Sequence, residues 1–171
     1  TDESLAIAER AGASLVRLDM STPFSAARAR NAGRARLREL RPDLPFLQFI
    51  DGDCELSPAW LDAALAEMKA VPDAAVVCGR RRERMAGRSL YNRLMDMEWN
   101  TPIGDATACG GDALMRADAF DAVGGFDPSL IAGEEPDLCL RLRRQGGRIR
   151  RIDADMTWHD ADMTRFSQWW Q

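Results

Sequence analysis

Short apolar runs of strand type alternate with helix-type segments along the chain, and this alternation restricts the fold more than any other feature. Leu5 to Ala11 reads as the tail of a helix closed by Gly12, and Ser14 to Leu18 as a short strand. Ser25 to Leu40 is rich in Ala, Arg and Leu and suits a helix by propensity, with Pro42 ending it. Phe46 to Ile50 is a strand-type run bounded by Pro45 and by Asp51-Gly52-Asp53. Ser57-Pro58 opens the next helix, whose apolar face carries Trp60, Leu61, Ala64, Leu65 and Met68.

The pattern continues with a buried strand at Ala74 to Gly79 and a helix between Ser89 and Asn100. A short strand follows at Ala113 to Met115, then a short helix at Asp118 to Val123 ended by Gly124-Gly125. Leu138 to Arg144 is helical and stops at Gly146-Gly147, Ile149 to Ile152 and Met156 to Trp158 are two strands, and Phe166 to Trp170 opens a last helix. This order predicts one α/β domain with a mostly parallel central sheet flanked by helices on both faces. The 171 residues, 46% of them hydrophobic, suffice for one core and exclude a disordered tail. No repeat, linker or low-complexity block interrupts them.

Charge gives little support to nucleic-acid binding, because 23 basic residues face 27 acidic ones. Two arginine clusters stand out, Arg80, Arg81, Arg82 and Arg84, and Arg148, Arg150 and Arg151. Each reads either as a solvated rim or as a contact to phosphates or another anionic partner. Cys54, Cys78, Cys109 and Cys139 are scattered without a CxxC pair, which speaks against a zinc ribbon and for small buried thiols in a reducing compartment. With no signal-peptide pattern and no apolar run long enough to cross a bilayer, a cytoplasmic setting is expected. Peripheral association at the inner face of the membrane stays open.

The sharpest local feature is Asp51-Gly52-Asp53, just past the carboxyl end of an apolar strand, where open α/β sheets bind ligands. Two carboxylates around a glycine suit a hard divalent cation, and they also suit an ordinary turn. Gly133-Glu134-Glu135-Pro136-Asp137 is an acidic cluster ahead of a helix, in which Asp137 fits a cap while Glu134 and Glu135 can face a cleft and take a proton. His159, the only histidine, follows a strand-type segment, which gives it the same kind of placement as Asp53. Gly110 and Gly111 beside Asp112 can turn close to a ligand or serve as a plain turn, and Arg30, Asn31 and Gly33 fall at a candidate helix start after Pro23, where an arginine can neutralise a diphosphate. No Walker A loop, dinucleotide fingerprint, HExxH zincin or nucleophile elbow is present.

In order and spacing these pieces resemble the large inverting family of GT-A-fold, nucleotide-sugar-dependent glycosyltransferases that includes cellulose, hyaluronan and rhamnosyl transferases. Thr1-Asp2-Glu3-Ser4 is similar to the tail of its D-G-S-x-D-x-(S/T) segment, and Ala29-Arg30-Asn31-Ala32-Gly33 to its A-R-N-x-G helix start. Asp51-Gly52-Asp53 is similar to its D-x-D motif. The run from Gly110 to Arg116, followed by Gly124-Gly125-Phe126-Asp127, resembles its acceptor-side strand, and the run from Gly133 to Arg141 resembles G-E-D-x-D-L-x-x-R.

The resemblance implies that Asp53 and His159 hold Mg²⁺ or Mn²⁺. It implies that Arg30, Asn31, Asp51, Gly110, Gly111 and Asp112 lie around a UDP-, GDP- or dTDP-linked sugar. Glu135 becomes the base toward a glycan, lipid-linked or small-molecule acceptor, with Glu134 in that role if the register slips by one. Glutamate replaces the usual aspartate there, which moves the carboxylate by about 1 Å. The family's first nucleotide-side strands have no counterpart here, so an exposed sheet edge, a homodimer or edge pairing, and loss of activity are all expected possibilities. Two other readings are a nucleotide-sugar or glycan-binding domain without catalysis, and an interaction module using the arginines with Phe166, Trp169 and Trp170. Glu98, Trp99 and Asn100 are candidates for sugar contacts.

Overall fold

A computed structural model describes residues 3–169 of the chain. The helices are α1 (Ser4–Arg10), α2 (Ala26–Leu40), α3 (Trp60–Ala70), α4 (Leu90–Glu98), α5 (Ala117–Ala122), α6 (Glu134–Arg144) and α7 (Phe166–Trp169). The strands are β1 (Phe46–Phe49), β2 (Cys54–Leu56), β3 (Ala74–Glu83), β4 (Gly104–Ala106), β5 (Ala113–Arg116) and β6 (Arg148–His159). They form one sheet in the order β1-β5-β3-β6-β2, with β4 also pairing β6. No helix among the described residues is long and apolar enough to cross a membrane. Thr1, Asp2 and Trp170, named in the motif and aromatic readings above, lie outside the described residues.

The α/β class holds, but the sheet is mixed rather than mostly parallel. Only β3 and β6 run parallel, whereas β1·β5, β3·β5, β2·β6 and β4·β6 are antiparallel. Alternation of helix and strand does not fix direction: β5 enters reversed between β1 and β3, and the short β2 and β4 turn back onto β6.

Residues 14–18 form no strand; no described strand pairs with them, and Val16 is exposed. Instead Ser14 and Val16 line a cavity of about 580 Å³ against α2 and β1. The two strands expected near the C-terminus are one. β6 pairs with β3 along its length, and its polar centre, Asp153 to Asp155, lies between the stretches paired to β4 and β2.

Ser25 caps α2 by accepting the Arg28 N–H at 3.3 Å. Arg34 on that helix reaches Asp121 of α5 through Nε at 3.0 Å and Nη2 at 2.6 Å, which ties the two helices together. α3 starts at Trp60, two residues beyond Pro58; Leu61 and Leu65 face solvent, while Trp60, Ala64 and Met68 are buried. The Trp60 indole donates to Gln48 Oε1 at 2.7 Å and presses on β3 at Gly79. A Cβ on Gly79 would lie 2.6 Å from that ring and 2.7 Å from the Ala154 carbonyl oxygen, so only glycine lets helix and sheet approach this closely. The core between α3, α5, α6 and the sheet contains Val76, Val77, Leu114, Met115, Phe120, Leu138 and Ile149.

Candidate active site

The loop 50–53 between β1 and β2 carries Asp51 and Asp53 in two different environments. Asp51 turns inward: its Oδ1 accepts Arg30 Nη2 at 2.7 Å and its Oδ2 accepts Arg81 Nη2 at 2.9 Å. Arg30 also donates to Glu134 Oε1 at 2.7 Å, and Arg81 to Asp112 Oδ2 at 3.1 Å through Nε. Asp112 is fully buried, and its Oδ1 accepts the Asp51 backbone N–H at 2.8 Å while Oδ2 accepts the Thr157 hydroxyl at 2.7 Å. Two arginines therefore thread three carboxylates in a chain from α6 through the loop to β3 and β5.

Burial opposes ionisation of Asp51, but the hydrogen bonds and charges of Arg30 and Arg81 outweigh it and hold the carboxyl below its ordinary range. Burial likewise works against the charge on Arg30 and Arg81, and their carboxylate partners outweigh it and raise both. Arg30 lies over the Phe126 ring at 5.3 Å and Arg81 over Trp99 at 5.4 Å. Gly111 closes over this chain. A Cβ there would stand 2.6 Å from Asp51 Oδ2 and 3.1 Å from Arg30 Nη2.

Asp53 faces outward with 59% of its side chain exposed, and its Oδ2 lies 3.1 Å from His159 Nε2. Strand pairing produces this contact, since Cys54 lies opposite His159 in the β2·β6 ladder. His159 Nδ1 lies 3.3 Å from Oε2 of Glu83, whose side chain has no solvent exposure. Glu83 also accepts the N–H groups of Met85 at 2.9 Å and Ala161 at 3.0 Å, and Asn92 Nδ2 at 3.3 Å. With Nδ1 directed at a buried carboxylate, Nε2 is the nitrogen left toward Asp53 and the open side. The Cys54 sulfur joins Asp53 and His159 in a group whose ligand atoms lie within 4.8 Å, and the carboxylate oxygen and imidazole nitrogen are the two in direct contact. That donor set fits Mg²⁺ or Mn²⁺.

Glu134 and Glu135 stand in the first turn of α6, which begins after Gly133, four residues earlier than its apolar pattern indicates. Asp137 is not the cap; its Oδ2 pairs with Arg141 Nη2 at 2.7 Å. Glu135 is 8% exposed, and its Oε1 accepts the Cys109 N–H at 2.5 Å and lies 2.9 Å from Cys139 Sγ. The contact with Cys139, followed by burial, pushes the Cys109 thiol well above its usual value. Cys109, Gly110 and Gly111 border a cavity of about 230 Å³ whose other walls include Arg81, Glu98 and Trp99.

The structure thus brings Arg30, Asp51, Asp112, Gly111 and Glu134 into one network and places Asp53 beside His159. Asn31 stands apart. Its Nδ2 donates to the Phe126 carbonyl at 2.7 Å and its Oδ1 accepts the Phe126 N–H at 3.0 Å, fastening α2 to the loop after α5. Sequence reasoning missed Arg81, Glu83 and Thr157 as site residues. The period-two pattern of β3 carries the signal for the first two: Arg81 and Glu83 share the site face, while Arg80 and Arg82 turn to Asp96.

Residues 1–124 match the glycosyl transferase family 2 description. The chain is 27% identical over 154 residues to a pre-mycofactocin glycosyltransferase of Mycobacterium tuberculosis, covering 84% of this chain and 31% of that protein. A shorter stretch of 51 residues is 43% identical to the succinoglycan biosynthesis protein ExoA of Rhizobium meliloti, covering 30% of this chain and 16% of that one. The chain therefore spans about a third of the first relative's length or less. Among solved structures, residues 1–349 of S. aureus TarS superpose with a TM-score of 0.69 at 15% identity, covering 94% of this chain and 48% of that one. GalNAc-T7 crystallised with UDP, GalNAc and Mn²⁺ gives 0.66 at 15% identity, covering 97% and 35%. Fold, motif order and sequence agree on one conclusion: the chain belongs to glycosyl transferase family 2.

Proposed function

We propose that this domain transfers a sugar from a nucleotide-diphospho-sugar to an acceptor hydroxyl, with inversion at the anomeric carbon and with a divalent metal. The observation that carries the reading is the pair Asp53 and His159, 3.1 Å apart, two residues along the loop from Asp51 and the arginine–carboxylate network that reaches Glu134. Asp53 and His159 would hold Mg²⁺ or Mn²⁺, and Glu83 keeps the imidazole turned for that task. When bound, the cation supplies charge neutralisation for the departing diphosphate. UDP and Mn²⁺ bound to GalNAc-T7, and UDP bound to TarS, support this choice of donor class.

Arg30 and Arg81 add fixed positive charge at the strand ends, and Asp51 orients both. Of the two candidate bases, Glu134 is held by Arg30, so Glu135 is the better acceptor for the hydroxyl proton. As that proton moves to Glu135, the hydroxyl oxygen bonds to the anomeric carbon while the bond to the diphosphate oxygen breaks. Trp99, 5.0 Å from His159 ring to ring, offers an apolar face to a sugar at the cavity edge.

Thermal unfolding with Mn²⁺ and UDP, GDP or dTDP tests the donor site: a matching nucleotide raises Tm only when Mn²⁺ is present. Asp53→Ala abolishes this joint shift, and unchanged nucleotide affinity in that variant rules the metal assignment out. Transfer that survives Glu135→Gln places the base elsewhere, and nucleotide binding with neither transfer nor hydrolysis marks a binding domain.

A further inference from the structure

Around the proposed base lies a second group of metal-ligating atoms, two of which, the Cys109 and Cys139 sulfurs, the transfer reaction does not use. Glu135 and Cys139 occupy positions i and i+4 on one face of α6, and Cys109 meets them from the loop before β5. Cys139 Sγ is 2.9 Å from Glu135 Oε1 and 3.6 Å from Cys109 Sγ, and all three ligand atoms lie within 4.8 Å of one another. A tetrahedral zinc with Zn–S bonds of about 2.3 Å separates two sulfurs by about 3.8 Å, and a sulfur from an oxygen by about 3.5 Å. The sulfur–sulfur spacing already fits, and the Cys139–Glu135 contact needs to open by about 0.6 Å to match a tetrahedral edge.

We propose that Cys109, Cys139 and Glu135 form a second metal site, selective for a soft or borderline-soft cation such as Zn²⁺, and that filling it silences Glu135. Two sulfurs and one carboxylate favour Zn²⁺ over Mg²⁺, whereas Asp53 and His159 meet through one oxygen and one nitrogen, donors that also accommodate harder ions. On binding, the two thiols release their protons to solvent and both sulfurs join the metal. Three protein ligands leave a fourth position toward the 230 Å³ cavity that Cys109 lines, where water can enter. The bound cation draws on the same carboxylate lone pairs that accept the acceptor's proton, so occupancy and transfer exclude each other. Only this inhibitory consequence rests on the function proposed above; the site itself stands on its own geometry.

The test is titration of the 171-residue chain with Cd²⁺, read by sulfur-to-cadmium charge-transfer absorption. Competition by Zn²⁺ and the effect of Zn²⁺ on transfer at saturating Mn²⁺ are then measured. With Mn²⁺ saturating the Asp53–His159 pair, one Cd²⁺ per chain is expected, with the band lost and affinity lowered more than about tenfold in both Cys109→Ser and Cys139→Ser. Cys54→Ser, which alters the other cluster, retains the band. Should a variant fail to fold, peptide mapping of iodoacetamide labelling on the unaltered chain serves instead, with Zn²⁺ protecting Cys109 and Cys139 but not Cys54. Absence of the band, a full band in either serine variant, or unprotected thiols overturns the site, as does recovery of a Cys109–Cys139 disulfide that Zn²⁺ does not prevent. Cd²⁺ binding with the expected thiol dependence but undiminished transfer overturns only the inhibition, and with it the role of Glu135.

Discussion

Replacing Asp112 by asparagine removes one negative charge and almost no volume, which makes it a clean probe of the network beneath the site. The carboxylate has no solvent exposure, and its Oδ2 accepts from Arg81 and Thr157 while Oδ1 accepts from the Asp51 backbone. An amide cannot replace it in either orientation. With the nitrogen at Oδ2, a donor faces the Arg81 guanidinium; flipped, it faces the Asp51 N–H. Removing one partner of a buried ion pair costs about 3–5 kcal/mol. Against a typical domain stability of about 5–15 kcal/mol, that is a large fraction. At about 2–4 °C per kcal/mol for a chain of this size, Tm falls by about 6–20 °C.

Urea unfolding at neutral pH measures the loss, and Arg81→Met supplies the cycle. In that background the cation is gone, so Asp112→Asn costs less by about 0.5–3 kcal/mol. A single variant within about 1 kcal/mol of the unaltered protein, together with no coupling to Arg81, refutes the claim that this pair is a buried, interdependent unit.

Other perturbations reach different parts of the molecule. Glu83→Gln loosens the His159 imidazole and weakens Mn²⁺ binding by about 10–100-fold, read by Mn²⁺ electron paramagnetic resonance; unchanged affinity removes Glu83 from the positioning role. Asp51 has a folded-state pKa below its unfolded value, so its stabilising contribution is complete above about pH 4 and is lost as pH falls further. Urea midpoints across that window should therefore fall less steeply for Asp51→Asn than for the unaltered chain, and parallel acid limbs contradict this. Gly79→Ala drives a methyl against Trp60 and the Ala154 carbonyl and lowers stability by about 1–3 kcal/mol in calorimetry, whereas a neutral outcome shows that α3 can shift away.

Much of this architecture is legible in the sequence because its signals are local. Asp51 and Asp53 follow an apolar run that pairs as β1, and Ser25 caps the helix that carries Arg30. Strand direction is not legible, since the polar Asp153 to Asp155 stretch resembles a break and only the pairing with β3 shows that β6 is continuous. Arg81 is hidden in a cluster that reads equally well as a solvated rim, until β3 extends to Glu83 and sorts its arginines onto two faces. The contact between Asp53 and His159 spans 106 positions and no local pattern encodes it; family resemblance alone links the two residues. Asn31 shows the converse limit, because a motif residue beside Arg30 serves the packing of a distant loop.

The placement of β6 bears on how the chain is made. It is the last of the described strands in chain order, yet it lies inside the sheet, where β2, β3 and β4 all pair with it. A nascent chain that has emerged only through α6 can pair β1, β5 and β3, but β2 and β4 then have no partner. These two ribbons therefore stay loose until the segment after α6 leaves the ribosome, and the same strand delivers His159 as it docks. Sheet closure and the meeting of His159 with Asp53 are one event, so a nonsense codon after α6 removes both together.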